Sequence, residues 1–115
     1  MKYKLVISDY DNTLGKIKYV APETVEAIKK YGEQGGKFIV CTGRFYHHIK
    51  GICRKYGISG LVATCQGSQI RDLANDEILI DGGIERDLAV KIAKKLLDDG
   101  LKASCYIGDR LVYEQ

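Results

Sequence analysis

Apolar positions along the chain fall in blocks whose period changes. Leu5-Val6-Ile7 is a continuous run within residues 3–9, the pattern of a parallel strand covered on both faces. It stops at Asp9-Tyr10-Asp11, and residues 10–20 follow as a loop containing Asn12 and Gly15, both tolerant of positive φ. Pro22 opens a helix at its first position, with Glu23 and Glu26 early and Lys29 and Lys30 late, as the helix dipole favours. Val25, Ile28 and Tyr31 form its apolar stripe, Gly35-Gly36 ends it, and the N-cap falls on Ala21, a poor cap. Residues 37–42 predict a second buried strand. After Gly43, the spacing of Phe45, Ile49, Ile52, Cys53 and Tyr56 predicts a helix with one apolar face, stopped at Gly57. Residues 60–65 predict a third strand. The order β-loop-α-β-α-β with short connections implies a parallel sheet with right-handed crossovers.

After Gly67 the period shifts. Residues 68–72 and 77–81 read as two strands around the turn Ala74-Asn75-Asp76. Ile84, Leu88, Ala89, Ile92, Ala93, Leu96 and Leu97 make an amphipathic helix ending at Gly100. Leu101, Ala103, Cys105 and Ile107 alternate with polar positions as a half-buried antiparallel strand, and Gly108-Asp109 is a two-residue hairpin turn into a last strand over 110–114. The expected fold class is α/β. A partial Rossmann-like three-stranded parallel core occupies residues 1–82, and the beginning of an α+β module occupies 83–115.

Composition narrows the function. With 115 residues, 45% hydrophobic and 29% charged, the chain amounts to one domain with a modest core. The net charge of +3 is spread over pairs such as Lys29-Lys30 and Lys94-Lys95 with acids nearby, which is a solvated surface and not a nucleic-acid footprint. Cys41, Cys53, Cys65 and Cys105 form no C-x-x-C pair and no His stands at finger spacing, which argues against zinc. Cys41 and Cys65 are expected as small buried hydrophobes. His47 and His48 are adjacent on a helix and diverge, so they do not share a metal. No apolar run is long enough to cross a bilayer, and Met1-Lys-Tyr-Lys is not followed by a leader pattern. The cytoplasm is the expected location.

The strand that ends in Asp9-Tyr10-Asp11 carries the candidate chemistry. Carboxylates at i and i+2 of an extended segment point to one side. Two such charges need a cation or a proton between them. Mg²⁺ takes oxygen ligands, usually one or two carboxylates plus phosphate oxygens, so the pair suggests a metal-assisted phosphate site. Turn chemistry alone is the bland alternative. Thr42 reads as an N-cap, as an anion-binding hydroxyl at a helix start, or as both. Arg44 reads as a solvated first-turn residue or as part of the site, and Ser68 as the start of the hairpin.

Asp9-Tyr-Asp-Asn-Thr-Leu14, Cys41-Thr-Gly-Arg44 and Thr64-Cys-Gln-Gly-Ser-Gln-Ile70, in that order, resemble the haloacid dehalogenase superfamily, and most nearly its Cof-type phosphatases. The resemblance runs over essentially the whole chain. It implies Mg²⁺-dependent hydrolysis of a small phosphorylated metabolite. Asp9 would be the nucleophile that forms an aspartyl-phosphate, and Asp11 the general acid and then base. The metal would lie on the Asp9 carboxylate and the Asp11 backbone carbonyl. Thr42, Gly43 and Asn12 would cradle the phosphate, with Arg44, Gly67 and Ser68 toward the substrate. Strand order 3-2-1 would bring these positions to neighbouring strand ends. Residues 83–115 would be the beginning of the cap.

The resemblance also implies a later lysine and a Gly-Asp-x-x-Asn-Asp motif, which this sequence lacks; Ile107-Gly-Asp-Arg110 and Asp98-Asp99 read as surface turns. A truncated, non-catalytic phosphate-binding or structural remnant is therefore the alternative expectation. A phosphoacceptor domain of the receiver kind is disfavoured, because the third strand ends in Cys65-Gln66-Gly67 without an Asp. With the far half of the sheet absent, residues 4–9 would form an open edge and favour a homo-oligomer.

Overall fold

The computed structural model describes residues 2–113. In chain order the elements are β1 (Leu5–Ser8), α1 (Pro22–Glu33), β2 (Lys37–Cys41), α2 (Tyr46–Lys55), β3 (Leu61–Thr64), a 3₁₀ turn (Cys65–Gly67), β4 (Gln69–Asp72), β5 (Ile78–Asp81), α3 (Arg86–Asp98), β6 (Ser104–Ile107) and β7 (Arg110–Tyr113). They separate into two compact units, Met1–Asp81 and Gly82–Gln115.

The first unit is built on a five-stranded sheet in the order β1-β2-β3-β4-β5. β1–β2 and β2–β3 are parallel, as the crossovers require; β3–β4 and β4–β5 are antiparallel. The hairpin thus extends the sheet of three strands expected from the sequence to five. The core gathers where α2 lies on the sheet: Val40 and Val62 meet Tyr46, Ile49, Ile52 and Cys53, with Tyr10, Val20, Ile58 and Leu73 completing it. The α2 spacing read from the sequence supplies this face. Each such side chain buried contributes about 1.5–3 kcal/mol. Burial pushes the Cys53 thiol up to about 11, so this cysteine is inert. Cys41 and Cys65, expected inside, are only half-buried, since both sit where a strand gives way to a loop.

β1 departs from its pattern. Its unbroken apolar run predicts cover on both faces, yet Leu5 is 48% and Ile7 61% exposed. The strand stands at the sheet edge with one neighbour, so the apolar run has little to bury against.

The β4–β5 turn is fastened to α2 by a charged cluster. Asp76, held at φ 64, accepts hydrogen bonds from the Tyr46 hydroxyl at 2.6 Å, Lys50 Nζ at 2.9 Å and Arg54 Nη2 at 3.2 Å. Its backbone carbonyl accepts from Arg71, whose guanidinium lies 3.9 Å from the Tyr46 ring centroid. The Tyr46 hydroxyl and Lys50 hold the Asp76 carboxyl down at about 2, and burial, then Asp76, pushes Tyr46 up to about 12. A carboxyl lowered on folding contributes stability that is complete above its ordinary value near 3.9 and is lost as pH falls toward 2. The stability gap between the parent and Asp76→Asn is expected to shrink between about pH 4 and 2. Denaturant melts across that window check this, and a gap independent of pH would refute the assignment.

The second unit has α3 and the antiparallel pair β6–β7. Glu85 caps α3 by accepting from the Asp87 and Leu88 amides at 3.0 and 3.2 Å. The turn Gly108-Asp109 joins β6 to β7 as its residue types predict. The half-buried face expected for β6 is not formed: all four of its residues are exposed, since a two-stranded ribbon has too little sheet to shelter either side.

Candidate functional site

Strand alternation continues past the end of β1. Asp9 and Asp11 are exposed and Tyr10 between them is fully buried. The loop then winds around Tyr10. Its carbonyl accepts the amides of Thr13, Leu14 and Gly15 at 3.0–3.2 Å, and its hydroxyl donates to the Ile17 carbonyl at 3.2 Å. Asn12 takes the left-handed conformation expected of it, φ 60, and its amide donates to the Gly15 carbonyl at 2.8 Å. A Cβ on Gly15 would stand 2.6 Å from the Tyr19 carbonyl oxygen, so this tight return needs glycine. Tyr10 went unnoticed in the sequence, although the alternation that turns both carboxylates outward must turn it inward.

The next strand end reaches this loop through Arg44. Its Nε and Nη2 donate to Asp11 Oδ2 and Oδ1 at 2.9 and 2.6 Å, a bidentate pair across 33 residues. The guanidinium carbon lies 4.9 Å from the Tyr10 ring centroid. The hydrogen bond from Arg44 holds the Asp11 carboxyl below its ordinary value, so Asp11 is ionised in this state. Asp9 is joined only loosely, by the Thr13 hydroxyl at 3.4 Å.

Thr42 is 2% exposed, and its Oγ1 accepts the Arg44 amide at 3.0 Å, leaving its own O–H to donate elsewhere. It does not cap α2. That position is Phe45, which makes no side-chain cap.

The third strand end closes on the second. Cys65, Gln66 and Gly67 are consecutively left-handed, at φ 50, 59 and 86. The two non-glycine members each store about 1–3 kcal/mol of strain. The Cys65 amide donates to the Arg44 carbonyl at 3.2 Å and the Gln66 amide to the Thr42 carbonyl at 3.1 Å, which hold the turn in place. The Gln66 carboxamide covers Gly43: a Cβ there would lie 2.6 Å from Gln66 Nε2. Ser68 is turned back, its hydroxyl on the Cys65 carbonyl at 2.9 Å, and Gly67 is exposed. The sequence places Gln66-Gly67 at the end of the third strand beside the other two motifs, but not the cover that the Gln66 side chain forms over Gly43.

The ends of β1, β2 and β3 thus form one continuous surface of oxygen acceptors and amide donors. No cluster of three or more His, Cys, Asp or Glu able to hold a metal occurs among the described residues. The Asp9 carboxylate and a backbone carbonyl are hard oxygen donors. They fit a Mg²⁺ ion that keeps water and takes its remaining ligands from a phosphate, but they do not make a closed cage.

The family model for haloacid dehalogenase-like hydrolases matches residues 6–115. A protein called "Putative phosphatase" from Buchnera aphidicola subsp. Baizongia pistaciae is 30% identical over 96 residues, covering 83% of this chain and 36% of its own. A second of the same description, from Buchnera aphidicola subsp. Schizaphis graminum, is 28% identical over 90% of this chain and 38% of its own. The chain therefore spans little more than a third of the length of these curated relatives. A solved haloacid dehalogenase-like hydrolase from B. subtilis superposes with a TM-score of 0.84 at 25% identity, over 97% of this chain and 39% of that one. The chain belongs to the haloacid dehalogenase-like hydrolases.

Proposed function

We propose that these strand ends carry the phosphoryl-transfer site of a phosphomonoesterase acting on a small phosphorylated metabolite. The observation that supports it most is the exposed carboxylate of Asp9 beside the Thr42–Gly43–Arg44 loop and the left-handed Asn12 turn. A carboxylate oxygen of Asp9 attacks phosphorus, and the bond from phosphorus to the ester oxygen breaks. The leaving oxygen takes a proton from Asp11. Water then attacks the aspartyl-phosphate, gives a proton to Asp11, and releases phosphate with the Asp9 carboxylate regenerated. The Thr42 hydroxyl and the Asn12 and Gly43 amides donate to the phosphoryl oxygens. Gly67 lies at the substrate side. Ser68 has the weakest claim, since its hydroxyl is already engaged. The Asp9 carboxylate and the Asp11 carbonyl would hold Mg²⁺, which when bound would neutralise phosphate charge.

The acid step needs a proton on Asp11, whereas Arg44 keeps Asp11 ionised in the free chain. That closure favours, as a second reading, a non-catalytic phosphate-binding module. Incubation with an aryl phosphate separates the two. Turnover that requires Mg²⁺ and stops on chelation is expected; phosphate binding without turnover supports the module, and the absence of both turnover and binding refutes both readings.

We further propose that the protein acts in the cytoplasm and that the exposed apolar edge at β1 pairs with a second copy of the chain. Light scattering is expected to show a species larger than a monomer. A Leu5→Lys variant should shift it toward the monomer. A monomeric parent would refute the pairing.

A further inference from the structure

The family resemblance puts Arg44 toward the substrate, and a cation after Thr42-Gly43 invites that assignment. Its contacts argue otherwise. The backbone is fixed at both polar atoms: its amide donates to Thr42 Oγ1 and its carbonyl accepts the Cys65 amide. The side chain is held at its far end by two hydrogen bonds to the Asp11 carboxylate, and its guanidinium carbon lies over the Tyr10 ring. Tyr10 is itself fully buried and hydrogen-bonded to the Ile17 carbonyl. A planar fork held on a buried ring presents its partner carboxylate in one orientation. A flexible ammonium on an alkyl stem cannot do so.

We propose that Arg44 is a positioning residue for Asp11, setting which way that carboxylate faces, and is not a ligand of the substrate phosphate. The assignment rests on the phosphatase reading for the role of Asp11, but the pairing itself stands on geometry. It also explains why the turn at 65–67 is strained and laced to residues 42–44: the hydrogen bond from Cys65 anchors the base of the arginine that orients Asp11.

Two measurements on the full chain test it. In Mg²⁺ and an aryl phosphate, Arg44→Ala is expected to lower kcat about tenfold to a hundredfold with KM changed less than about twofold, the loss of orientation outweighing the easier protonation of Asp11. Arg44→Lys should restore little of this, because a point charge does not reproduce the fork. A rise in KM at unchanged kcat would make Arg44 a substrate ligand and overturn the proposal. Independently of turnover, the Arg44 Nε–H resonance should shift in Asp11→Asn and stay in place when inorganic phosphate is added to the parent. A resonance indifferent to Asp11→Asn, or one displaced by phosphate, overturns it. If the parent shows neither turnover nor phosphate-induced shifts at Thr42 and Gly43, the phosphatase reading fails, and the Asp11→Asn shift alone still decides whether the pairing exists.

Discussion

Asp9→Asn is expected to abolish hydrolysis of an aryl phosphate, lowering kcat by about 10³-fold or more. The carboxamide keeps the shape of the side chain but has no carboxylate oxygen to attack phosphorus. The loss should come without a loss of fold. Asp9 is exposed and, among the described residues, its carboxylate accepts one hydrogen bond, from Thr13 at 3.4 Å, so the variant should stay within about 0.5 kcal/mol of the parent. Steady-state kinetics and a denaturant melt on the same preparation make the comparison. Turnover above a tenth of the parent value would remove Asp9 from the role of nucleophile. Mass spectrometry of acid-quenched parent protein should find one added phosphoryl group that Asp9→Asn lacks.

The largest effect on stability is expected at Tyr10. Truncating a fully buried aromatic side chain costs about 3–5 kcal/mol, a large share of the 5–15 kcal/mol typical of a domain. Tyr10→Ala also takes away the ring on which Arg44 rests, so the site should lose order along with the core. Tyr10→Phe removes only the 3.2 Å hydrogen bond to Ile17 and should cost about 1 kcal/mol. Urea melts of the three proteins resolve these values. A Tyr10→Ala variant within 1 kcal/mol of the parent would mean that the loop does not depend on the ring.

Much of the fold was legible because local rules and burial agree. The apolar spacing in α2 coincides with the buried face, Pro22 and Ala21 mark the start of α1 as read, and the residue types at 108–109 give their turn. The left-handed Asn12 was likewise readable from its residue type. Burial itself was less legible where it depends on neighbours. Leu5-Val6-Ile7 reads as covered because a period cannot tell a central strand from an edge, and the alternation in β6 presumes a layer that the ribbon lacks. Strand-end cysteines read as core for the same reason. In the proposed site, the residue types at 9, 11, 12, 42 and 43 suggest the chemistry by their order along the chain. The Arg44–Asp11 pair does not, because a contact across 33 residues leaves no local period. Gln66 over Gly43 is a matter of two loops meeting, and no spacing announces it.

The sheet order has a consequence for dynamics. Among the described residues, each strand of this sheet pairs with its neighbours in sequence, so these five strands can assemble by successive addition without one being inserted between two others. The amide of Lys37 donates to the carbonyl of Lys4, which sets Val6 and Ser8 toward β2 and leaves the amides of Leu5 and Ile7 facing outward. In the monomeric chain, before any pairing at this edge, deuterium should therefore enter β1 with a period of two residues, fast at Leu5 and Ile7 and slower at Val6 and Ser8; pairing with a second copy should slow Leu5 and Ile7. Central β3, bonded on both sides, should be among the last segments to exchange. The strand that delivers Asp9 is thus the least protected of the parallel set.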